Sequence, residues 1–140
     1  MPAPAPFQET PPLLKALTRA LESVPELRLA LVYGSLAANR LAPSSDVDIA
    51  VAADGPLSWE SRMMITSLAA EAARREVDLL DLRVSHGLIL REALSRGRLL
   101  FCRDRNLYAS LISRMWGEQE DYQPLVNRIN RDRVERWIGK

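Results

Sequence analysis

Four short aliphatic runs, separated by stretches of helical period, set the plan of this chain. Leu13, Leu17, Leu21 and Val24 recur at the spacing that lines one face of a helix. Thr10 offers a cap for it, Pro11 and Pro12 suit a first turn, and Pro25 stops it. The run LRLALVY, residues 27–33, is dense enough in aliphatic groups for a buried strand. Gly34-Ser35 breaks it, and residues 36–41 read as a short helix or turn. A second strand follows over Asp46–Ala52, with Val47, Ile49 and Val51 on its buried face. Asp54-Gly55-Pro56 marks a loop, and Ser58 caps an alanine-rich helix from Trp59 to about Arg75. The run VDLLDLR, residues 77–83, predicts a third strand. A helix over Ser85–Arg96 is expected to end at Gly97 in left-handed backbone. RLLFC, residues 98–102, predicts a fourth strand. Beyond it Leu107, Leu111 and Met115 form a helical stripe, Gly117 interrupts, and Pro124 opens a last helix carrying Val126, Ile129, Val134 and Trp137. Strands separated by helices predict an α/β or α+β sheet domain.

Composition narrows the function more than the fold. A chain of 140 residues suits one domain, and a net charge of +1 carries no excess that announces a nucleic-acid or membrane partner. Cys102 is the only cysteine and His86 the only histidine, which excludes an intrachain disulfide and zinc sites built on Cys or several His. No apolar stretch approaches the roughly 20 residues that span a bilayer. The opening MPAPAPFQETPP has neither the basic region nor the apolar core of a signal peptide. The expectation is a soluble, cytoplasmic protein with a mobile Pro/Ala-rich leader.

The chemistry concentrates in YGSLAANRLAPSSDVDIAVA, residues 33–52. In a strand Asp46 and Asp48 project from the same face with Cα atoms about 6.5–7 Å apart. Two carboxylates that close repel each other, and burying either is costly. That arrangement suits divalent cations: magnesium takes oxygen ligands, often one or two carboxylates together with substrate phosphates. A pair of ions about 3.5–4 Å apart can clamp both the attacking and leaving oxygens of an in-line displacement. Gly34, lacking a Cβ, lets a ligand approach the backbone. Ser35 adds a hydroxyl, and a helix starting after it would favour an anion. An anion cradle beside a cation pair is what a nucleoside triphosphate with magnesium requires.

Gly34-Ser35, ten residues, then Asp46-Val47-Asp48 resembles the signature of the nucleotidyltransferase superfamily related to DNA polymerase β. The likeness continues through VDLLDL and RLLFCRD, from about Leu27 to Asn106. The brevity of the chain resembles the minimal nucleotidyltransferases that act as antitoxins to HEPN-domain ribonucleases. This resemblance implies a nucleotidyltransferase fold, a mixed sheet of about four strands backed by helices with a helical C-terminal tail. It divides the chain into a leader over 1–9, a nucleotidyltransferase domain over 10–106 and an extension over 107–140 that packs on the domain or on a partner. It also implies that Gly34 and Ser35 contact the terminal phosphates of ATP, with Ser45 either touching a phosphate or capping the strand end. Asp46 and Asp48 hold two Mg2+ ions. A third carboxylate normally completes the site, and VDLLDL offers Asp78 and Asp81 on opposite faces. The family motif places its acid at the first, so Asp78 is carried over as metal ligand and proton acceptor, while Asp81 bonds locally or faces Arg83. The chain departs from many relatives in having Asn39 where they carry glycine; asparagine tolerates left-handed backbone better than most residues.

Other polar residues have plainer readings. Arg40 either reaches a phosphate or is solvated, His86 is a capping or surface group, and Cys102 is a buried apolar residue. Trp59, Met63 and the alanines read as packing. Arg128, Arg131, Arg133, Arg136 and Lys140 form either a solvated helix face or a docking surface. The function expected is an ATP- and magnesium-dependent adenylyltransferase. The chain lacks a second domain to cradle a small acceptor, and by resemblance the acceptor is a tyrosine of a HEPN toxin, silenced by AMPylation. Homo-oligomers or hetero-oligomers with the toxin are compatible with this; direct DNA binding and membrane association are not expected. The competing readings are an antitoxin that works by occlusion with a vestigial nucleotide site, and a stand-alone transferase acting on RNA or a small hydroxyl compound.

Overall fold

A computed structural model describes residues 12–34, 36–37 and 46–118. The first helix, α1 (Pro12–Glu22), buries Leu14, Leu17 and Leu21. Leu14 takes the place expected of Leu13, which lies half-buried at the side of the stripe. Three later strands join the first in one sheet: β1 (Leu29–Tyr33), β2 (Val47–Ala52), β3 (Val77–Asp81) and β4 (Arg98–Cys102). Their order is β3-β2-β1-β4, with β1 antiparallel to both neighbours and β2 parallel to β3. The mixed sheet follows from the connections: the segment between β2 and β3 contains α2 (Trp59–Ala73) and returns the chain in the same direction.

β1 and β3 are shorter than the aliphatic runs that announce them. Leu27 is already in a turn, its N–H donating to the Val24 carbonyl at 3.2 Å, and Leu82 lies past the end of β3. Both faces of β2 are buried, not one. Val47, Ile49 and Val51 pack toward α1 and α2; Ala50 and Ala52 pack toward α3 (Gly87–Arg96) and α4, the helix through residues 105–118. Alanine on that second face leaves room for the helices above it.

Ser58 caps α2, its Oγ accepting the Ser61 N–H at 3.0 Å. The helix ends at Arg74 in left-handed backbone, φ 56°. Its buried line is Ile65, Ala69 and Ala73, so Trp59 and Met63 face solvent at 69% and 51% exposure. The packing read for these two residues is therefore corrected, whereas two of the alanines do pack. Gly97 is also corrected: it is extended, φ −73°, not left-handed. A side chain there would strike the Ala93 carbonyl and come within 2.8 Å of Leu31 Cδ1, so close approach explains the glycine. Gly117 does not interrupt α4, which continues to residue 118. Cys102 is half-buried. Arg114 of α4 donates to the carbonyls of Leu82, Arg83 and Ser85 at 2.6–3.0 Å, and Glu118 accepts the Gly87 N–H at 2.9 Å. These bonds fasten α4 across the loop between β3 and α3. No helix among the described residues is long and apolar enough to cross a membrane. The 1–9 leader and the expected last helix after Pro124 lie outside the described residues, as do its apolar and arginine positions.

Candidate active site

At one end of the sheet β1 finishes while β2 and β3 begin. Tyr33 stands opposite Asp48 across the antiparallel pair, and Asp48 stands beside Asp78 across the parallel pair. Register neighbours share a face, so Tyr33, Asp48 and Asp78 form a row across three strands. Asp46, one residue ahead of β2, joins them by the alternation of the strand. Asp46 and Asp78 are exposed and Asp48 is half-buried.

The row is anionic and strained by its own charge. Burial, followed by the charges of Asp78 and Asp46, pushes the Asp48 carboxyl from 3.8 up to about 6. The Tyr33 phenol, 4% exposed, is held well above its ordinary range by burial and by the Asp48 and Asp78 charges. None of Asp46, Asp48 and Asp78 has an ion-pair partner among the described residues. Gly34, at the end of β1, has φ +72°, and a Cβ there would collide with Asp48 Oδ2. Its bare Cα therefore makes room for the carboxylate as well as for any ligand approaching the turn.

Asp81 belongs elsewhere. It is 3% exposed, its Oδ2 accepts the Leu57 N–H at 2.8 Å, and its Oδ1 accepts the Arg83 N–H at 2.9 Å. It closes loops on the opposite face of the sheet, and its link to Arg83 runs through the backbone amide. His86 follows β3 at the far end of the sheet; its Nδ1 lies 2.7 Å from Glu118 Oε2, and it makes no side-chain cap. Ser35, Asn39, Arg40 and Ser45 lie outside the described residues. Tyr33 is the neighbour that sequence reasoning passed over. Its only signal was its place directly before Gly34-Ser35 at the end of an aliphatic run.

The donor set suits a hard divalent cation: it offers carboxylate oxygens, and a cation would offset the burial and neighbouring charges that together raise Asp48. Among the described residues no three His, Cys, Asp or Glu side chains close around a single point. The fit therefore rests on the chemistry and register of the donors.

Residues 15–106 match the family described as Polymerase beta, Nucleotidyltransferase. The chain belongs to that family. Over 100 residues this nucleotidyltransferase is 28% identical to the protein adenylyltransferase MntA of Shewanella oneidensis, covering 71% of its own length and 61% of the relative's. It thus spans about three fifths of that curated relative. Its fold is similar to that in a crystal structure of a toxin–antitoxin with AMP-PNP, at TM-score 0.68 and 24% identity, covering 83% of this chain and 97% of the other. It is also similar to a chain in the structure of tri-AMPylated Shewanella oneidensis HEPN toxin in complex with MNT antitoxin. There the TM-score is 0.63 and the identity 26%, with 84% and 95% of the two chains covered.

Proposed function

We propose that this nucleotidyltransferase is a magnesium-dependent protein adenylyltransferase that transfers AMP from ATP to a hydroxyl of a HEPN-domain toxin in the cytoplasm, and so acts as its antitoxin. The observation that carries the reading is the row of Asp48 and Asp78 in register, with Asp46 two residues away and Gly34 against Asp48. The relatives' adenylyltransferase and toxin–antitoxin assignments support the choice of nucleotide and acceptor.

Asp46, Asp48 and Asp78 would hold Mg2+, which when bound supplies charge neutralisation at the phosphates. The Gly34 turn leaves its backbone open to the triphosphate, and Ser35 and Ser45 are assigned to phosphate oxygens. The acceptor oxygen forms a bond to the α-phosphorus as the bond to the bridging oxygen breaks, and pyrophosphate departs. Asp78, an exposed carboxylate at the start of β3, receives the hydroxyl proton. Positioning and electrostatics thus carry the reaction.

The test is to incubate the chain with α-labelled ATP, magnesium and its cognate toxin. Label on a toxin tyrosine is expected from the wild type, and loss of label from Asp46→Asn and Asp78→Asn with circular dichroism unchanged. A tight toxin complex without label would replace this reading with occlusion. Label on RNA or a small hydroxyl compound in the absence of toxin would move the acceptor.

A further inference from the structure

Away from the carboxylate row, a groove of about 370 Å³ runs between α1 and the edge strand β4. Leu14, Leu99 and Leu100 give it an aliphatic floor, and Lys15, Arg19 and Arg98 stand around it. Lys15 and Arg19 are four residues apart on α1, so they project from one side of the helix. All three cations are exposed, and none has an acidic partner among the described residues. Glu22 is the single acid in the lining and is likewise unpaired among those residues. The protein as a whole is close to neutral, at +1, so this concentration of free positive charge is local.

We infer that the groove is a docking site for an acidic segment of a partner protein that carries aliphatic side chains among its carboxylates. Charge complementarity requires an anionic occupant. The floor distinguishes between anions: it holds three leucines and no aromatic ring, so bases have nothing to stack on, whereas aliphatic side chains can be buried there. Strand addition is not the mode of capture. β4 is bulged against β1, with Ala30 paired to Phe101 and Leu31 to Leu99, leaving Leu100 as the extra residue. A bulge and a terminal arginine are devices that blunt an edge against pairing. The occupant is therefore held through side chains. Arg98 is paired with Val32, two residues before Gly34. Arg98 thus places one end of the groove at the carboxylate end of the sheet, and β4 is two strand spacings, roughly 10 Å, from β2. Because α1 covers the face opposite the carboxylate row, a segment gripped there lies across the sheet from it, and the rest of its protein must pass around the β4 edge to reach the reaction centre. This last step rests on the adenylyltransferase reading, whereas binding itself does not.

The experiment uses the full chain, a short fluorescein-labelled peptide rich in Glu and Leu, a labelled oligouridylate of equal length and a fluorescent ATP analogue with magnesium. At low ionic strength the peptide is expected to bind, more weakly as salt rises. The triple variant Lys15→Glu, Arg19→Glu, Arg98→Glu should bind it at least about tenfold more weakly, as three exposed ion pairs allow. Binding of the ATP analogue should not change. Because the three side chains are exposed, the triple glutamine variant serves as a second, gentler test and should fall between the two. The inference is overturned if the wild type ignores the peptide, if charge reversal leaves peptide binding intact, or if oligouridylate binds more tightly than the peptide. A wild type that binds the peptide but not the ATP analogue would remove the proposed activity and leave the groove standing.

Discussion

Replacing Asp48 with asparagine should make the metal-free protein more stable at neutral pH while abolishing the proposed AMP transfer. The carboxyl of Asp48 is raised from 3.8 to about 6, first by burial and then by the Asp78 and Asp46 charges. Between those two values the native state binds more protons than the unfolded chain, so stability falls as pH rises through that window and stays low above it. In a fully enclosed group the shift would correspond to about 3 kcal/mol. Asp48 is half-exposed to water, and screening reduces the contribution to about 1 kcal/mol. Asparagine has nearly the same shape and no charge, so Asp48→Asn recovers that amount at pH 7.5. In a chain of 140 residues this raises Tm by about 3 °C. Near pH 4 the wild-type carboxyl is already protonated and the gain should vanish. Other groups that titrate in the same range, such as the depressed carboxyls of Asp54 and Glu118, are common to both proteins and cancel in the difference. Differential scanning fluorimetry across pH in the presence of a chelator measures the effect directly. Magnesium with ATP should then reverse the order, stabilising the wild type more than the variant. An Asp48→Asn protein that melts below the wild type at pH 7.5, or whose gain is the same at every pH, would refute the reasoning.

Other substitutions separate the site from its scaffold. Gly34→Ala places a Cβ against the Asp48 carboxylate in left-handed backbone, and should cost about 1–2 kcal/mol in urea denaturation and abolish binding of an ATP analogue. Asp81→Asn exchanges a buried double acceptor for a group that can satisfy only one of the two N–H donors cleanly, a loss of about 2 kcal/mol of stability. The folded Asp81→Asn protein should still bind nucleotide, whereas Asp78→Asn should keep its stability within about 0.5 kcal/mol and lose transfer. Arg114→Lys cannot reach three carbonyls with one ammonium, so stability should fall by about 2 kcal/mol and amide exchange in the loop over residues 82–86 should speed up.

Much of this protein was legible in the order of its residues. Aliphatic runs and helical stripes located four strands and their helices, because burial of apolar side chains has a period that a sequence displays. Arg98–Cys102 was read to the residue, and Ser58 as a cap follows from its hydroxyl alone. The Gly34-Ser35 and Asp46-Val47-Asp48 spacing points to a candidate site because two same-face aspartates at a strand end are hard to justify by packing. Other features depended on neighbours distant in sequence. Trp59 and Met63 have the spacing of a buried stripe, yet the sheet lies under Ile65, Ala69 and Ala73, and only the docking of α2 decides which line is covered. Gly97 has the sequence context of a left-handed cap, but what excludes a side chain there is Leu31 and the Ala93 carbonyl. Which of Asp78 and Asp81 stands beside Asp48 depends on the register of β3 against β2: Asp78 is its neighbour, and Asp81 turns under the sheet to hold Leu57 and Arg83. Local pattern fixes which face a residue shares with its near neighbours; what lies across that face is fixed by strand pairing and helix docking, which bring together groups tens of residues apart.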